Sequence, residues 1–216
     1  METTIAIQTY FAGTLLQNCI ASILENVSNP QIYIFKNDIG WLQACNQVMQ
    51  NTKNDLILLN DDTIVLTDIV AEMSRLAYSD DKIGIVGGKS LSHTQERINN
   101  YGIYVGTDGN SAHKHFGSPR NSVKVEVQKA VEGSCMFIKR AVIDDIGVFD
   151  EGFGMGYREE VDYCFRAREA GWKIMSTPKA EYVHLVNQTH GRVGIVNDKF
   201  DYFMSKWGTK LKLGQV

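Results

Sequence analysis

The chain has 216 residues, 44% of them hydrophobic and 22% charged, so it can bury a core and is not intrinsically disordered. Its 22 basic and 25 acidic residues leave a formal net charge of -3, which argues against a surface that wraps polyanions throughout. No apolar run nears the ~20 residues that cross a bilayer, the opening Met1-Glu2-Thr3-Thr4 has no signal-peptide character, and the four cysteines form no Cys-x-x-Cys pair, so a cytoplasmic, reducing location is expected.

Residues 4–9 alternate in a β-rich run and predict a strand. Leu15, Leu16, Cys19, Ile20, Ile23 and Leu24 recur at helical spacing over 15–24. A second strand is expected at 31–35 and a helix at 41–49, with Leu42, Cys45, Val48 and Met49 on one face. Residues 55–59 form a continuous apolar run, as in a strand buried on both faces. A helix at 68–78 and a strand at 83–86 follow. Alternating strands and helices predict an α/β domain with a central, mostly parallel sheet flanked by helices. The second half is more broken: short strands near 101–105 and 122–127, a buried apolar run at 135–138, a helix at 159–170, strands at 172–175 and 182–185, and a closing helix at 197–207. Nothing divides the chain, so a single domain is expected, with its ligand crevice at the carboxyl ends of the strands.

Three places carry candidate chemistry. The buried run 55–59 stops abruptly at Asn60-Asp61-Asp62, which puts carboxylates at the crevice edge. Hard cations such as Mg²⁺ or Mn²⁺ take one or two carboxylates plus phosphate oxygens there, although a polar turn explains the segment equally well. The glycine-rich 153–156 runs into Glu159, Glu160 and Asp162. Helix starts favour acidic residues in any case, and Asp162 has Arg166 four residues on. Glu160 has Cys164 at that spacing, so it is the carboxylate freest to act as a base. His184 ends a short strand and joins a metal only if it converges with Asp62. His113-Lys114-His115 with Arg120 reads either as an exposed basic loop or as a cover over a phosphate or acceptor.

Taken together, these segments resemble the family-two glycosyltransferases, in particular the rhamnosyltransferase-like subgroup. The resemblance runs through Gly40 with Ala44-Cys45-Asn46, 58–63, 83–89, 131–140, 147–151, 159–166, Gly171 and His184. It implies a single Rossmann-like GT-A domain that binds a nucleoside diphosphate sugar, with about 1–88 as the donor half and about 89–216 as the acceptor and catalytic half. It sets Asn60-Asp61-Asp62 in the place of the family's Asp-x-Asp motif. Asn60 and Asp61 then belong to the donor site, and Asp62 with His184 to a divalent metal, Mn²⁺ or Mg²⁺. Glu159-Glu160 takes the place of the Glu-Asp motif, whose second residue is the base. Thr9, Tyr10 and Gly40 fall on the donor side, and His113, Arg120 and Gly133 on the acceptor side. Asn60 and Glu160 depart from the family's Asp at both positions. The segment after the second strand is short, and Asp38 stands in there for the usual nucleotide-contacting Asp.

The implied reaction is inverting transfer of a sugar from a UDP- or dTDP-type donor to a hydroxyl on a glycan or lipid-linked sugar. A hydroxylated DNA base is the less favoured acceptor, since the net charge of -3 offers no general pull on a polyanion. A nucleotidyltransferase is disfavoured because Tyr10-Phe11-Ala12-Gly13-Thr14 has no basic residue after the first strand. A non-catalytic nucleotide-sugar-binding module would not need both an acidic metal site and a separate carboxylate at a helix start.

Overall fold

A computed structural model describes residues 2–10, 13–36, 39–154, 157–185 and 199–216. The first half alternates as expected: β1 (Thr3–Thr9), α1 (Thr14–Asn26), β2 (Gln31–Lys36), α2 (Trp41–Asn51), β3 (Asp55–Asn60), β4 (Thr63–Val65), α3 (Ile69–Ala77) and β5 (Ile83–Leu91). Asp68 starts α3 by accepting from the Ala71 amide at 2.9 Å, a side-chain cap that satisfies one of the helix's free N–H groups. The second half holds β6 (Ile98–Asn100), β7 (Ile103–Val105), β8 (Ser111–His113), β9 (Glu126–Gln128), β10 (Cys135–Ile138), α4 (Arg140–Ile146), α5 (Glu159–Glu169), β11 (Lys173–His184) and α6 (Phe200–Lys212).

The main sheet runs β2-β1-β3-β10-β5-β11-β4, with β6 added on β5 and β9 on β11. β1, β2 and β3 are mutually parallel, as are β5 and β11. β10 enters between β3 and β5 antiparallel to both, and β4 is antiparallel to β11. Alternate residues of the central strands face two helical layers. Leu56, Leu58, Met136 and Ile138 pack with α2, α5 and α6, whereas Ile57, Leu59, Cys135 and Phe137 pack with α1 and α3. Leu56 to Leu59 are each at most 1% exposed. Each contributes roughly 1.5–3 kcal/mol by burial, so β3 is the fixed reference for whatever its end presents.

Several expectations need correction. β5 continues to Leu91 through Gly87, Gly88 and Lys89, all buried. The segment expected as a strand over 122–127 pairs only at Glu126–Gln128. The two short strands expected at 172–175 and 182–185 are one strand, β11, whose pairing with β5 slips between Ser176 and Glu181. Pro178 lies in that slip and has no N–H to give a ladder. All four cysteines are buried and free, as expected.

Candidate active site

The two antiparallel strands decide what meets at the crevice. β3 ends at Asn60, and because β10 runs the other way, the residues just before it arrive at the same edge: the Asn60 amide donates to the Ser134 carbonyl at 3.1 Å. β11 also ends there. His184 pairs with Thr63 of β4, and the Leu185 amide donates to the Asp62 carbonyl at 2.9 Å. Three chain segments distant in sequence therefore deliver Asn60–Asp62, Glu132–Gly133 and His184 to one place.

His184 is the centre of the cluster. Its Nε2 lies 3.1 Å from Asp62 Oδ1 and 3.3 Å from Asn60 Nδ2. Its Nδ1 lies 3.3 Å from Glu132 Oε1, at ion-pair distance but out of line for a hydrogen bond. Burial alone would lower the imidazole pKa, but the Asp62 bond and the close carboxylate charges of Asp62 and Glu132 outweigh it and lift the ring to about 10. Asn60 is held from the opposite side, its Oδ1 accepting from Gln8 Nε2 at 2.8 Å and from Trp41 Nε1 at 3.3 Å. Trp41 stacks on Phe149 with ring centroids 5.6 Å apart. Asp61 is half-buried; burial pushes its carboxyl up, the Thr9 hydroxyl pulls it down, and Asp62 pushes it up again. Thr9 and Asp61 are thus neighbours.

The base candidates lie alongside. Gly133 is where the two sets touch: a Cβ there would meet the Trp41 ring at 3.0 Å and the Glu160 Cβ at 3.7 Å. Glu159 and Glu160 open α5, and each has a buried Oε2 with no hydrogen-bond partner. Burial pushes the Glu159 carboxyl far up, aided by Glu160. Burial also lifts Glu160, to about 7, and the nearby Glu132 charge adds to the effect. Asp162 does pair with Arg166, at 2.9 Å, but it is fully buried and not a surface ion pair. Its other oxygen accepts from Trp207 Nε1 at 2.9 Å and Lys206 Nζ at 2.6 Å.

The remaining expectations divide. Tyr10 is exposed just past β1, and Gly40, at φ 102°, leads into α2. Asp38 lies outside the described residues. His113 is exposed on β8, close enough to Glu132 for its charge to help hold that carboxyl down against burial. Arg120 is not brought to the cluster. Its guanidinium is bound by Glu181, which points to the face of β11 opposite His184. Lys114 binds Glu126 at 3.1 Å and Gln128 at 2.8 Å, and His115 also binds Glu126. Lys114, His115 and Arg120 of the expected basic cover are therefore paired with carboxylates of β9 and β11. Glu132, Gln8 and Trp41 escaped the sequence reading. Glu132 sits in a loop without periodicity, and a tryptophan at a helix start reads as core.

Among the described residues no three His, Cys, Asp or Glu side chains form a ready-made metal cage. Asp62 nevertheless offers an oxygen donor and, once an incoming cation displaces its Nε2 proton, His184 a nitrogen donor beside it, the protein share expected of a site whose other ligands are phosphate oxygens and water.

Comparison with known proteins places this fold. In solved structures the fold recurs in GalNAc-T7 with UDP, GalNAc and Mn²⁺ (TM-score 0.67, 14% identity, 84% of this chain and 43% of that one). It recurs again in the mannosyltransferase PcManGT of Pyrobaculum calidifontis with GDP-Man and Mn²⁺ (TM-score 0.59, 11% identity, 86% and 57%). By sequence the chain is 27% identical over 176 residues to an uncharacterised protein, y4gI, of Sinorhizobium fredii, covering 75% of this chain and 19% of that one. It is 37% identical over 62 residues to the N-acetylglucosaminyl-diphospho-decaprenol L-rhamnosyltransferase of Mycobacterium tuberculosis, covering 29% and 20%. The hexosyltransferase Agl10 of low-salt glycan biosynthesis in Haloferax volcanii is 24% identical over 132 residues, covering 61% and 42%. The chain thus spans less than half the length of each of these curated relatives. The family model for glycosyltransferase-like family 2 matches residues 35–198, most of the chain, and the chain belongs to that family.

Proposed function

We propose that this chain is a glycosyltransferase domain that moves a sugar, with inversion, from a nucleoside diphosphate sugar to an acceptor hydroxyl. The observation that carries the reading is the meeting, around Gly133, of the Asp62–His184 pair with Glu160, whose buried Oε2 has no hydrogen-bond partner. The first half, about 1–88, holds the donor through Thr9, Tyr10, Gly40, Asn60 and Asp61. The second half, about 89–216, supplies the base and the acceptor surface at His113 and Gly133, and sends His184 across to Asp62.

Asp62 and His184 would hold a divalent cation, Mn²⁺ or Mg²⁺. Bound there, it would neutralise the departing diphosphate. Glu160 takes the proton of the acceptor hydroxyl as that oxygen bonds to the anomeric carbon. The anomeric carbon–phosphate oxygen bond breaks, and its electron pair leaves with the nucleoside diphosphate. Burial pushes the Glu159 carboxyl far up and lifts Glu160 to about 7, which makes Glu160 the carboxylate that ionises near neutral pH. Attack opposite the leaving group inverts the centre in one displacement. The acceptor best fitting the relatives is a glycan or a lipid-linked sugar. No helix among the described residues is long and apolar enough to cross a membrane. The four free cysteines fit a reducing cytoplasm.

The test is to measure UDP or dTDP release from their sugars across an acceptor panel, with Mn²⁺ and with excess chelator. Metal-dependent release that Asp62→Ala abolishes in a folded protein is expected. Full turnover in chelator overturns the metal assignment, and no release with any donor overturns the transferase reading.

A further inference from the structure

The base helix begins in a strained way. Tyr157 (φ 72°) and Arg158 (φ 73°) are consecutive non-glycine residues in the left-handed region, and Glu159 and Glu160 follow directly. Such residues are strained and persist only where their surroundings over-determine them. The surroundings here belong to Arg158. Its carbonyl accepts from the Asp162 amide at 2.9 Å, closing the first turn of α5. Its Nη1 donates to the Gly109 carbonyl, also at 2.9 Å, in the turn between β7 and β8. The guanidinium lies over Phe200 at 4.8 Å and Phe203 at 5.5 Å, both on α6. Gly109 packs in turn on Met204 and Phe200 of the same helix, with no room for a Cβ. One side chain thus joins three segments that are separate in sequence: the β7–β8 hairpin, which carries His113, the start of α5 and the start of α6.

We infer that Arg158 is the positioning residue of the proposed base: its clamp on Gly109, Phe200 and Phe203 holds the strained turn that aims Glu160 at Gly133 and fixes the β7–β8 hairpin in the same frame. The inference rests on the proposed role of Glu160. Charge supports it as well. Arg158 favours the ionised form of Glu160, whereas Glu132, from the loop before β10, opposes it, and Glu159 sits beside it. Lysine cannot replace the guanidinium here, because only the planar group both stacks on a ring and donates sideways.

The experiment compares the wild type with Arg158→Gly, which tolerates the left-handed backbone but removes the clamp, and Arg158→Lys, which keeps the charge. Two readouts are used: amide hydrogen exchange at Gly109–His113 and at the first turn of α5, and the ¹³C carboxyl titration of Glu160, assigned by its loss in Glu160→Gln. For Arg158→Gly the expected result is exchange faster by about 10-fold at both segments and a Glu160 midpoint about one pH unit higher. Arg158→Lys should show the faster exchange with a smaller upward shift. Exchange and titration matching the wild type in both variants overturn the clamp. If the wild-type Glu160 titrates like an ordinary glutamate, the base assignment falls instead, and the exchange data still judge the clamp. Should Arg158→Gly fail to fold, Arg158→Lys decides alone: wild-type exchange at both segments refutes the inference. Where a turning-over donor has been found, kcat should fall about 10-fold or more for Arg158→Gly while the donor KM stays near its wild-type value.

Discussion

Asp162 is the most exacting test of the physical account, because sequence and structure give it different weights. From sequence it is one half of an ordinary i,i+4 pair, worth a fraction of a kcal/mol if exposed. In the structure it is fully buried and takes three donors, Arg166 Nε on one oxygen and Trp207 Nε1 with Lys206 Nζ on the other. Two of those donors come from α6, so the carboxylate ties the last helix to the base helix. Asp162→Asn keeps the shape but turns one oxygen into an NH₂ group, which must face a donor whichever way the amide is placed. Breaking a buried pair from one side costs about 3–5 kcal/mol. The low end applies here. Lys206 keeps Asp150 at 2.5 Å, and Arg166 keeps the Ile146 and Val148 carbonyls at 3.0 and 2.7 Å. The expected loss is therefore ~3 kcal/mol, or a Tm lower by ~6–12 °C for a domain of this size. Urea unfolding followed by circular dichroism should show a lower midpoint at unchanged slope. Lys210→Ala is the control, since it removes the half-exposed Lys210–Glu169 pair on the same two helices and should cost less than ~1 kcal/mol. If Asp162→Asn costs no more than Lys210→Ala, the buried-carboxylate argument is wrong.

Four further outcomes follow from the site. Glu160→Gln should lower turnover by about 10²-fold or more with donor affinity almost unchanged, as loss of a general base does. Because burial raises the Glu160 carboxyl to about 7, wild-type kcat should climb as pH rises through neutrality and the base deprotonates; a flat profile between pH 5 and 8 would count against it. Gly133→Ala puts a methyl group 3.0 Å from the Trp41 ring, so it should cost about 1–3 kcal/mol of stability and lower kcat, read from a melting curve beside a rate assay. Calorimetry should show UDP or dTDP binding more tightly with Mn²⁺ than without; failure of both to bind at high concentration removes the donor assignment.

Much of the fold was legible because strong periodicity survives packing. Leu56 to Leu59 read as a doubly buried strand and are one; α1, α2 and α3 fall where their apolar stripes place them. Strand direction was not legible. Cys135–Ile138 reads as buried either way, and only the pairing with β3 and β5 reverses it. That reversal brings Glu132 into the site, so the direction of β10 and the role of Glu132 were hidden together. The end of β5 misled for another reason. Gly87-Gly88-Lys89 looks like a turn, but Gly88 lies against Tyr182 and Met73, and the Lys89 charge is met inside by Glu181 at 2.7 Å. The same Glu181 takes Arg120, so a cation that reads as free in a polar loop is spent on the sheet. Sequence counts charges; it does not say which of them already have partners.

The same distinction bears on how so acidic a crevice would accommodate the diphosphate of the proposed donor. Asp62 and Glu132 flank the imidazole of His184, Asp61 lies beside Asp62, and Glu160, with Glu159 next to it, feels the charges of Glu132 and of the Arg158 guanidinium. Burial answers part of this repulsion by pushing the Glu159 and Asp61 carboxyls up and by lifting Glu160 to about 7, which favours their neutral forms. It does not answer it at Glu132, whose carboxyl His184 holds low. The anionic donor proposed above would therefore need more positive charge beside Asp62 than the protein's own side chains provide. A divalent cation held by Asp62 and His184 would supply it, and Asn60 in place of an acid keeps one negative charge out of the cluster. Asn60 still accepts from Gln8 and Trp41, so the neutral side chain retains the acceptor role while leaving the charge balance closer to what a diphosphate tolerates.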